Sequence, residues 1–244
     1  MRAAYVTTYD SADRHEWSGL GFHILRCLEL AGIAVERIGP LERHATARAR
    51  ARQLEWRLRR QVYPLDRDPD VAQAYSAQVA RRLESSPCDL VFSPGALPVA
   101  YLNSNHPLAI WADATFAAML GFYPGSGALS RRAVRQGMDL DTRALARASV
   151  AFYASEWAAR SAVEDHGADP DKVEVVPFGA NLRVDHDRDA VAELVRRRSD
   201  ESCRLLFVGV DWDRKGGDRA IEIARVLNDR GLPTELHVVG SEPR

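Results

Sequence analysis

Short apolar runs that alternate with segments of helical spacing are the feature that most constrains this chain. The run AAYVTT at 3–8 precedes a helical pattern over 20–31, and IAVERIG follows at 33–39. Later apolar runs at 88–95 and 107–116 are typical of buried strands. A strand, a helix and a second strand in succession predict parallel strands joined by a crossover. We therefore predict an α/β fold with a parallel sheet.

Composition narrows the function class. The 244 residues are 46% hydrophobic and 27% charged, as in ordinary globular proteins. Lys and Arg number 33 against 34 Asp and Glu, so a net charge of −1 predicts no nucleic-acid partner. Cys27, Cys88 and Cys203 form no C-x-x-C pair, which favours a reducing compartment. Without a signal-peptide pattern or a run of about 18 apolar residues, we expect a soluble, cytoplasmic protein.

A change in composition predicts two domains. The segment 149–181 contains a strand pattern, then Ser155 as a helix N-cap, then the strand pattern KVEVVP. A highly charged stretch follows at 183–202, where we expect a linker. The predicted domains are accordingly 1–182 and 203–244.

The second domain begins with a candidate anion site. RLLFVGV at 204–210 is typical of a parallel strand, and Gly216 and Gly217 stand at the start of a helical pattern. The N–H groups and dipole of a helix N-terminus, with Arg214 and Lys215 beside them, suit a diphosphate. An ordinary strand-helix-strand unit with a solvated basic pair explains the same residues equally well.

Two stretches resemble a known family. FVGVDWDRKGGDRAIEIARVL at 207–227 resembles the start of the donor domain of GT-B glycosyltransferases of the retaining family 4 type. YASEWAARSAV at 153–163, followed by KVEVVPFGAN at 172–181, resembles the end of their acceptor domain. The resemblance implies two Rossmann-like domains facing a cleft, with the acceptor held by the first and a nucleotide sugar by the second.

The resemblance also implies a reaction. Sugar would pass from a UDP-, GDP- or ADP-linked donor to an envelope, polysaccharide or lipid-linked acceptor. Lys215 matches the family lysine on the donor diphosphate, while Val210 stands where the family often has an arginine. Either Arg214 supplies the missing charge or the binding of donor phosphate is weakened. Gly216 would contribute to the same donor site. No cofactor besides the donor, and no metal, is implied, since the basic pair neutralises the leaving group.

The glycines of WSGLGFHI at 17–24 are a second candidate site. Gly19 and Gly21 precede a helix, but Ile24 replaces the third glycine of a dinucleotide fingerprint. The resemblance implies that this loop approaches the donor phosphates. His23, in the first turn of the helix, either faces the cleft or packs on its neighbours. An ordinary flexible turn at a helix start is the alternative interpretation.

Asp113 is the candidate catalytic residue. It follows an apolar strand pattern, and open α/β sheets bind ligands at the carboxyl ends of strands. Its carboxylate would orient an acceptor hydroxyl or take its proton. An Asx-turn or N-cap carboxylate is the alternative. Gly179 and Asn181, at the exit from the first domain, are expected to line the cleft by resemblance.

An arginine-rich helix is predicted within 42–60. Such a helix can lie on an anionic membrane surface, so peripheral contact with the inner face of a membrane is one interpretation. We favour the other, a solvated surface helix whose narrow stripe packs on the core. The stripe consists of Ala47, Ala51, Leu54 and Leu58, and the arginines are Arg48, Arg50, Arg52, Arg57, Arg59 and Arg60.

The segment after residue 204 predicts two strands and one helix, which cover only one face of a sheet. The resemblance places the family's E-x7-E motif farther along, so we expect a fragment with little activity of its own. A nucleotide-sugar epimerase of the same fold and a non-catalytic sugar-nucleotide-binding protein are the rival functions. The pairs Asp185/Asp187 and Asp211/Asp213 lack further ligands and predict linker and turn residues rather than a metal site.

Overall fold

The computed structural model describes residues 1–122, 128–181, 187–198 and 201–242. The chain divides into two compact units, Met1–Asn181 and Leu182–Arg244, which are called unit 1 and unit 2 below.

Unit 1 contains a six-stranded sheet in the order β2-β1-β3-β4-β5-β6, and every neighbouring pair is parallel. The sequence prediction of an α/β fold with a parallel, Rossmann-like sheet is therefore confirmed. The strands are β1 (Arg2–Val6), β2 (Ala34–Ile38), β3 (Leu90–Ser93), β4 (Leu108–Ala112), β5 (Val150–Tyr153) and β6 (Val173–Val175).

Helices connect these strands, and short polar residues begin most of them. The Ser155 hydroxyl accepts a hydrogen bond from the N–H of Ala158 at 3.3 Å, which confirms the predicted N-cap. Ser130 caps its helix in the same way, through the N–H of Ala133 at 3.1 Å. The helices are α1 (Leu20–Leu30), α2 (Ala47–Leu58), α3 (Pro69–Ser85), α4 (Phe116–Met119), α5 (Arg131–Arg147) and α6 (Glu156–Glu164).

The sheet of unit 1 is covered on both faces. On one face, Ala4 and Val6 of β1 belong to a core that includes residues of α3 and α5. On the other, Tyr5 and Phe92 stack with ring centroids 5.8 Å apart and share a core with Ile24 of α1. Apolar strands buried on both faces account for the continuous apolar runs in the sequence.

The strand order contains a point where the direction of the connections reverses. From β1 the chain passes through α1 to β2 at the sheet edge, then returns through α2 and α3 to β3 on the other side of β1. In open α/β sheets, ligands bind outside the carboxyl ends of the strands at such a switch point.

Helix α2 corrects a prediction. All four residues of the expected packing stripe are exposed, with Leu54 at 56% and Leu58 at 77%. Ala49 is buried instead, and Arg52 and Trp56 are partly buried. The helical spacing was correct, but the side that faces the core is the opposite one.

Unit 2 contains the helix α7 (Arg188–Arg196), then β7 (Cys203–Val208), α8 (Trp212–Lys215), α9 (Gly217–Asp229) and β8 (Thr234–Val239). Strands β7 and β8 pair in parallel. Their residues alternate: Leu205 and Phe207 are covered, whereas Leu206 and Val208 are exposed. Within residues 201–242, one face of this strand pair is therefore covered and the other is open.

The predicted linker is only partly described. Residues 183–186 and 199–200, with Asp185, lie outside the described residues. Asp187 directly precedes α7, and its carboxylate accepts a hydrogen bond from the N–H of Ala190 at 2.7 Å. Asp187 is therefore an N-cap.

Candidate functional site

A cavity of about 300 Å³ opens at the carboxyl ends of β1, β3 and β4, at the switch point of the sheet. Thr8 and Tyr9 follow β1, Gly95 follows β3, and Asp113 follows β4; all four line the cavity. Parallel strands end at the same edge of the sheet, so residues distant in sequence meet there.

Asp113 lies on the wall of this cavity. It comes directly after the end of β4, its side chain is exposed, and its Oδ1 accepts a hydrogen bond from the N–H of Ala114 at 2.9 Å. The other carboxylate oxygen is available to a ligand hydroxyl. The structure thus places Asp113 where the sequence predicted it, and its catalytic role stays a prediction.

A guanidinium and a buried carboxylate also line the cavity. Arg67 Nη1 lies 3.3 Å from Asp141 Oδ1, and the guanidinium sits 4.4 Å above the centre of the Phe116 ring. Asp141 is 6% exposed, and its Oδ2 accepts a hydrogen bond from the N–H of Phe116 at 2.6 Å. The carboxylate therefore holds both Arg67 and the start of α4 in place.

Sequence reasoning missed Arg67 and Asp141. They are 74 residues apart, and each stands among other charged residues that give no local signal. Only the packing of α5 beside the segment before α3 brings them together.

The position of Tyr9 explains why residue 21, one of the predicted site residues, is a glycine. A Cβ added to Gly21 would overlap the phenol of Tyr9, and Tyr5 donates its hydroxyl to the carbonyl oxygen of Gly21 at 2.7 Å. Gly21 is thus buried beneath a cavity-lining ring, and the absence of a side chain permits this close approach. Its proposed contact with donor phosphate stays a prediction.

The Tyr9 hydroxyl is buried and has no hydrogen-bond partner among the described residues. Burial, and then the charge of Glu16, raises the pKa of Tyr9 to about 12. Burial, and then the charge of Asp141, also raises the pKa of the cavity-lining Tyr153. Both phenols are therefore neutral near pH 7.

The loop before α1 has an unusual backbone. Trp17, Ser18 and Gly19 are consecutive left-handed residues, with φ of 46°, 54° and 80°. For the first two this costs roughly 1–3 kcal/mol each, and such strain tends to occur at ligand sites. Trp17 lines the cavity and packs edge-on against Phe178 at 5.7 Å.

Three residues that were predicted to line the cleft lie away from the cavity wall. His23 is partly buried in α1 and packs edge-on against the ring of Phe22. Gly179 and Asn181 are exposed at the end of unit 1, and Asn181 has a left-handed φ of 54°. None of the three lines the cavity, so the predicted cleft-lining roles remain predictions.

The predicted diphosphate residues of unit 2 are placed differently from the expectation. Arg214 and Lys215 are the last residues of α8, not part of an open turn, and Gly216 joins α8 to α9 with φ of 80°. Lys215 packs against Gly209, where an added Cβ would lie 2.9 Å from its Cγ. Asp211 caps α8 through the N–H of Arg214 at 3.1 Å.

Neighbouring carboxylates reduce the positive potential at this corner. Asp211 Oδ2 lies 3.3 Å from Arg214 Nε. Asp218, in the first turn of α9, accepts a hydrogen bond from the indole N–H of Trp212 at 2.8 Å. A Cβ on Gly217 would overlap the Trp212 ring, so this glycine also serves packing. A diphosphate here would face fewer free charges than the sequence suggests.

Within the residues that the structure describes, no group of three or more His, Cys, Asp or Glu side chains is arranged to hold a metal ion. None of the helices in the same ranges combines the length and apolar character that crossing a membrane requires.

Comparison with known proteins shows a weak likeness to a solved structure. No protein-family model matches the sequence, and no curated protein matches it. Among solved structures, the chain is similar to a glycosyltransferase from Rickettsia africae ESF-5, with 11% identity and a TM-score of 0.42. The likeness covers 98% of this chain and 68% of that one. At this score it does not decide the function.

Proposed function

We propose that this chain catalyses, at a low rate of its own, the reaction of a retaining glycosyltransferase, in which a sugar moves from a nucleotide sugar to a saccharide or lipid-linked acceptor. The observation that carries the proposal is the cavity at the switch point of the unit 1 sheet. It combines aromatic surfaces with a few fixed polar groups, which suits a ligand bearing hydroxyls. The family resemblance of residues 153–181 and 207–227 supports the choice of reaction.

In this proposal the cavity of unit 1 holds the acceptor. Asp113 orients the attacking hydroxyl or takes its proton, and the Tyr9 ring forms part of the surface that the acceptor contacts. Arg67, held by Asp141, supplies fixed donors that need no reorganisation when charge develops. Burial of Asp141 against α4 keeps that arginine in one orientation.

Unit 2 would hold the donor diphosphate. Lys215 and Arg214 are close to the start of α9, where the helix dipole favours an anion, and Gly216 leaves room for the phosphates. The loop containing Gly19 and Gly21 would contribute backbone N–H groups. We also propose a cytoplasmic location, with which the free thiols of the three cysteines are consistent.

Titration of the purified chain with UDP, GDP and ADP tests the donor site. Replacing Arg214 and Lys215 together with alanine should weaken diphosphate binding about tenfold or more, because two charge-assisted contacts are lost. Arg225→Ala is the matched control, since Arg225 is exposed farther along α9. Equal affinity of all three proteins would exclude the proposed diphosphate contacts.

A product assay with nucleotide sugars separates the rival functions. Transfer to an acceptor with retained anomeric configuration, lowered about 10²–10⁴-fold by Asp113→Asn, supports the proposal. Isomerised donor would indicate an epimerase. Nucleotide-sugar binding without turnover would indicate a binding protein.

A further inference from the structure

Helix α2 is attached with its apolar side outward. Ala49, Arg52 and Trp56 recur at helical spacing and form the side that packs on unit 1. The opposite side is a narrow apolar stripe, with Leu54 and Leu58 at its centre and alanines beside them. The members of this exposed stripe are Ala47, Ala51, Leu54 and Leu58.

Buried polar contacts fix this orientation. Arg52 donates hydrogen bonds from Nε and Nη2 to the two carboxylate oxygens of Asp68, at 2.8 and 2.6 Å. Its Nη2 also donates to Asp70 at 2.7 Å. Asp68 is fully buried and also accepts a hydrogen bond from Tyr63 at 2.6 Å. Thr46, the N-cap of α2, donates its hydroxyl to Asp70 at 2.9 Å. The apolar stripe therefore cannot turn inward without breaking these bonds.

Arginines stand on both sides of the stripe. Arg50 and Arg57 occupy one border; on the other, the exposed Glu55 stands between the stripe and the exposed arginines Arg48 and Arg59. Arg59 pairs with Glu55 at 3.0 Å and stacks over the ring of Trp56 at 4.9 Å. Within the described ranges, Arg50 and Arg57 have no carboxylate within ion-pair distance, and they line a groove beside Leu54.

We infer that this face of α2 docks on an anionic lipid surface. A stripe of apolar side chains bordered by arginines is the pattern of a helix that lies in the plane of a membrane interface. Each arginine near such a surface adds favourable electrostatic energy. The inference does not depend on the transferase proposal, since no residue of α2 is among those that line the cavity.

The size of the face favours lipid over another protein. Twelve residues of helix span about 18 Å, and a stable protein interface needs about 800 Å² on each partner. Two leucines and two alanines offer far less than that. A lipid surface needs no matching shape, because its head groups and acyl chains adapt to the helix.

Vesicle sedimentation of the 244-residue chain tests the inference. We expect binding to phosphatidylcholine vesicles that contain about one-third phosphatidylglycerol, and little binding to phosphatidylcholine alone. Raising the salt from about 0.05 to about 0.5 M should weaken binding, since it shortens the screening length. Equal binding to both vesicles, or binding to neither, would overturn the inference.

Matched variants locate the surface. Replacing Arg50 and Arg57 together with glutamine should weaken binding to anionic vesicles roughly tenfold or more. Leu54→Gln with Leu58→Gln should also weaken it, because less apolar area enters the interface. Thermal melts will verify that each variant folds like the parent, as expected of exposed positions.

Controls come from other exposed positions. Arg81 and Arg82 of α3 and Leu30 of α1 are exposed in the same unit. Replacing Arg81 and Arg82 together with glutamine, or Leu30 alone, should leave vesicle binding unchanged. A loss equal to that of the α2 variants would contradict the assignment. So would a dimer that depends on Leu54 and Leu58 in a chain that binds no vesicle.

Discussion

Helices α2 and α5 both combine arginines with an apolar stripe. The stripe of α5 faces the protein core, whereas the stripe of α2 faces solvent. In α5 the apolar residues Ala133, Leu140 and Leu145, with Ala148 just after its end, are all buried. In α2 the predicted stripe is exposed and an arginine faces inward. The difference teaches that a helical stripe indicates two faces but does not indicate which face is the inner one.

The reason is the partner that each helix meets. Helix α5 packs against an apolar core, where Leu140 is fully buried. Helix α2 meets the buried carboxylate of Asp68, which requires a cation and hydrogen-bond donors. Arg52 satisfies that requirement, and the hydrogen bond to Asp68 is the first cause of its raised pKa. A buried charge thus outweighs the small area of two alanines and two leucines.

Removing the buried carboxylate should have the largest effect. Asp68→Ala leaves Arg52 without its main partner, and we expect the free energy of unfolding to fall by about 3–5 kcal/mol. Urea unfolding followed by circular dichroism measures this. Glu55→Ala is the control, because Glu55 pairs with Arg59 at the exposed surface, at 3.0 Å, and should cost about 1 kcal/mol or less. If both variants lost a similar free energy of unfolding, the buried carboxylate would not be what fixes the orientation of α2.

Truncating one leucine in each helix tests the two orientations directly. Leu140→Ala should cost about 2–5 kcal/mol, because it opens a cavity in a closely packed core. Leu58→Ala should change stability by less than about 0.5 kcal/mol, because that side chain is 77% exposed. Urea unfolding of both variants gives the difference. If Leu58→Ala cost as much as Leu140→Ala, the assigned orientation of α2 would be wrong.

A glycine in α5 provides a smaller test. An added Cβ at Gly137 would overlap the Phe116 ring. Gly137→Ala should therefore cost about 1–3 kcal/mol, although alanine favours a helix by about 1 kcal/mol. Combining it with Phe116→Leu should recover part of the loss in a thermal or urea melt. Ala51→Gly, at an exposed position of α2, should show only the loss of helix propensity. A more stable Gly137→Ala protein would contradict this packing.

The smallest expected effect is on the pH dependence of stability, through the contacts of Asp70 with α2. Burial raises the pKa of Asp70, but hydrogen bonds from Thr46 and Arg52 outweigh it, so the folded pKa lies below the ordinary value. Its contribution is therefore complete above the unfolded pKa of about 3.9 and is lost as pH falls through the folded value. The stability gap between the parent and Asp70→Asn, up to about 1 kcal/mol, should shrink between pH 6 and pH 3. Urea midpoints at both pH values measure the gap, and a constant gap would disprove the effect.

Much of the fold could be predicted from local patterns. Strands β1 to β4 and helix α1 lie within a few residues of their predicted bounds, because hydrophobic periodicity acts over short distances. Position at a strand end was enough to place Asp113 beside the cavity. The basic pair of unit 2 was harder, since Asp211 converts the expected turn into a short helix.

The rest of the site was not predictable from spacing. Arg67 and Asp141 meet across 74 residues, and Tyr9 lies over Gly21 because the loop after β1 folds back onto α1. Both arrangements depend on how elements pack. A glycine that looked like a phosphate contact has a packing neighbour, and an arginine without a motif lines the cavity.

By itself, the sequence determined which segments form strands and helices, because hydrophobic periodicity and capping depend on neighbours a few residues away. Only the tertiary structure decided which side of α2 faces inward and which charged groups meet at the cavity. The reason is that a buried charge is stable only beside an opposite charge, and folding brings that partner from a distant part of the sequence. Here Asp68 pairs with Arg52, and Asp141 pairs with Arg67.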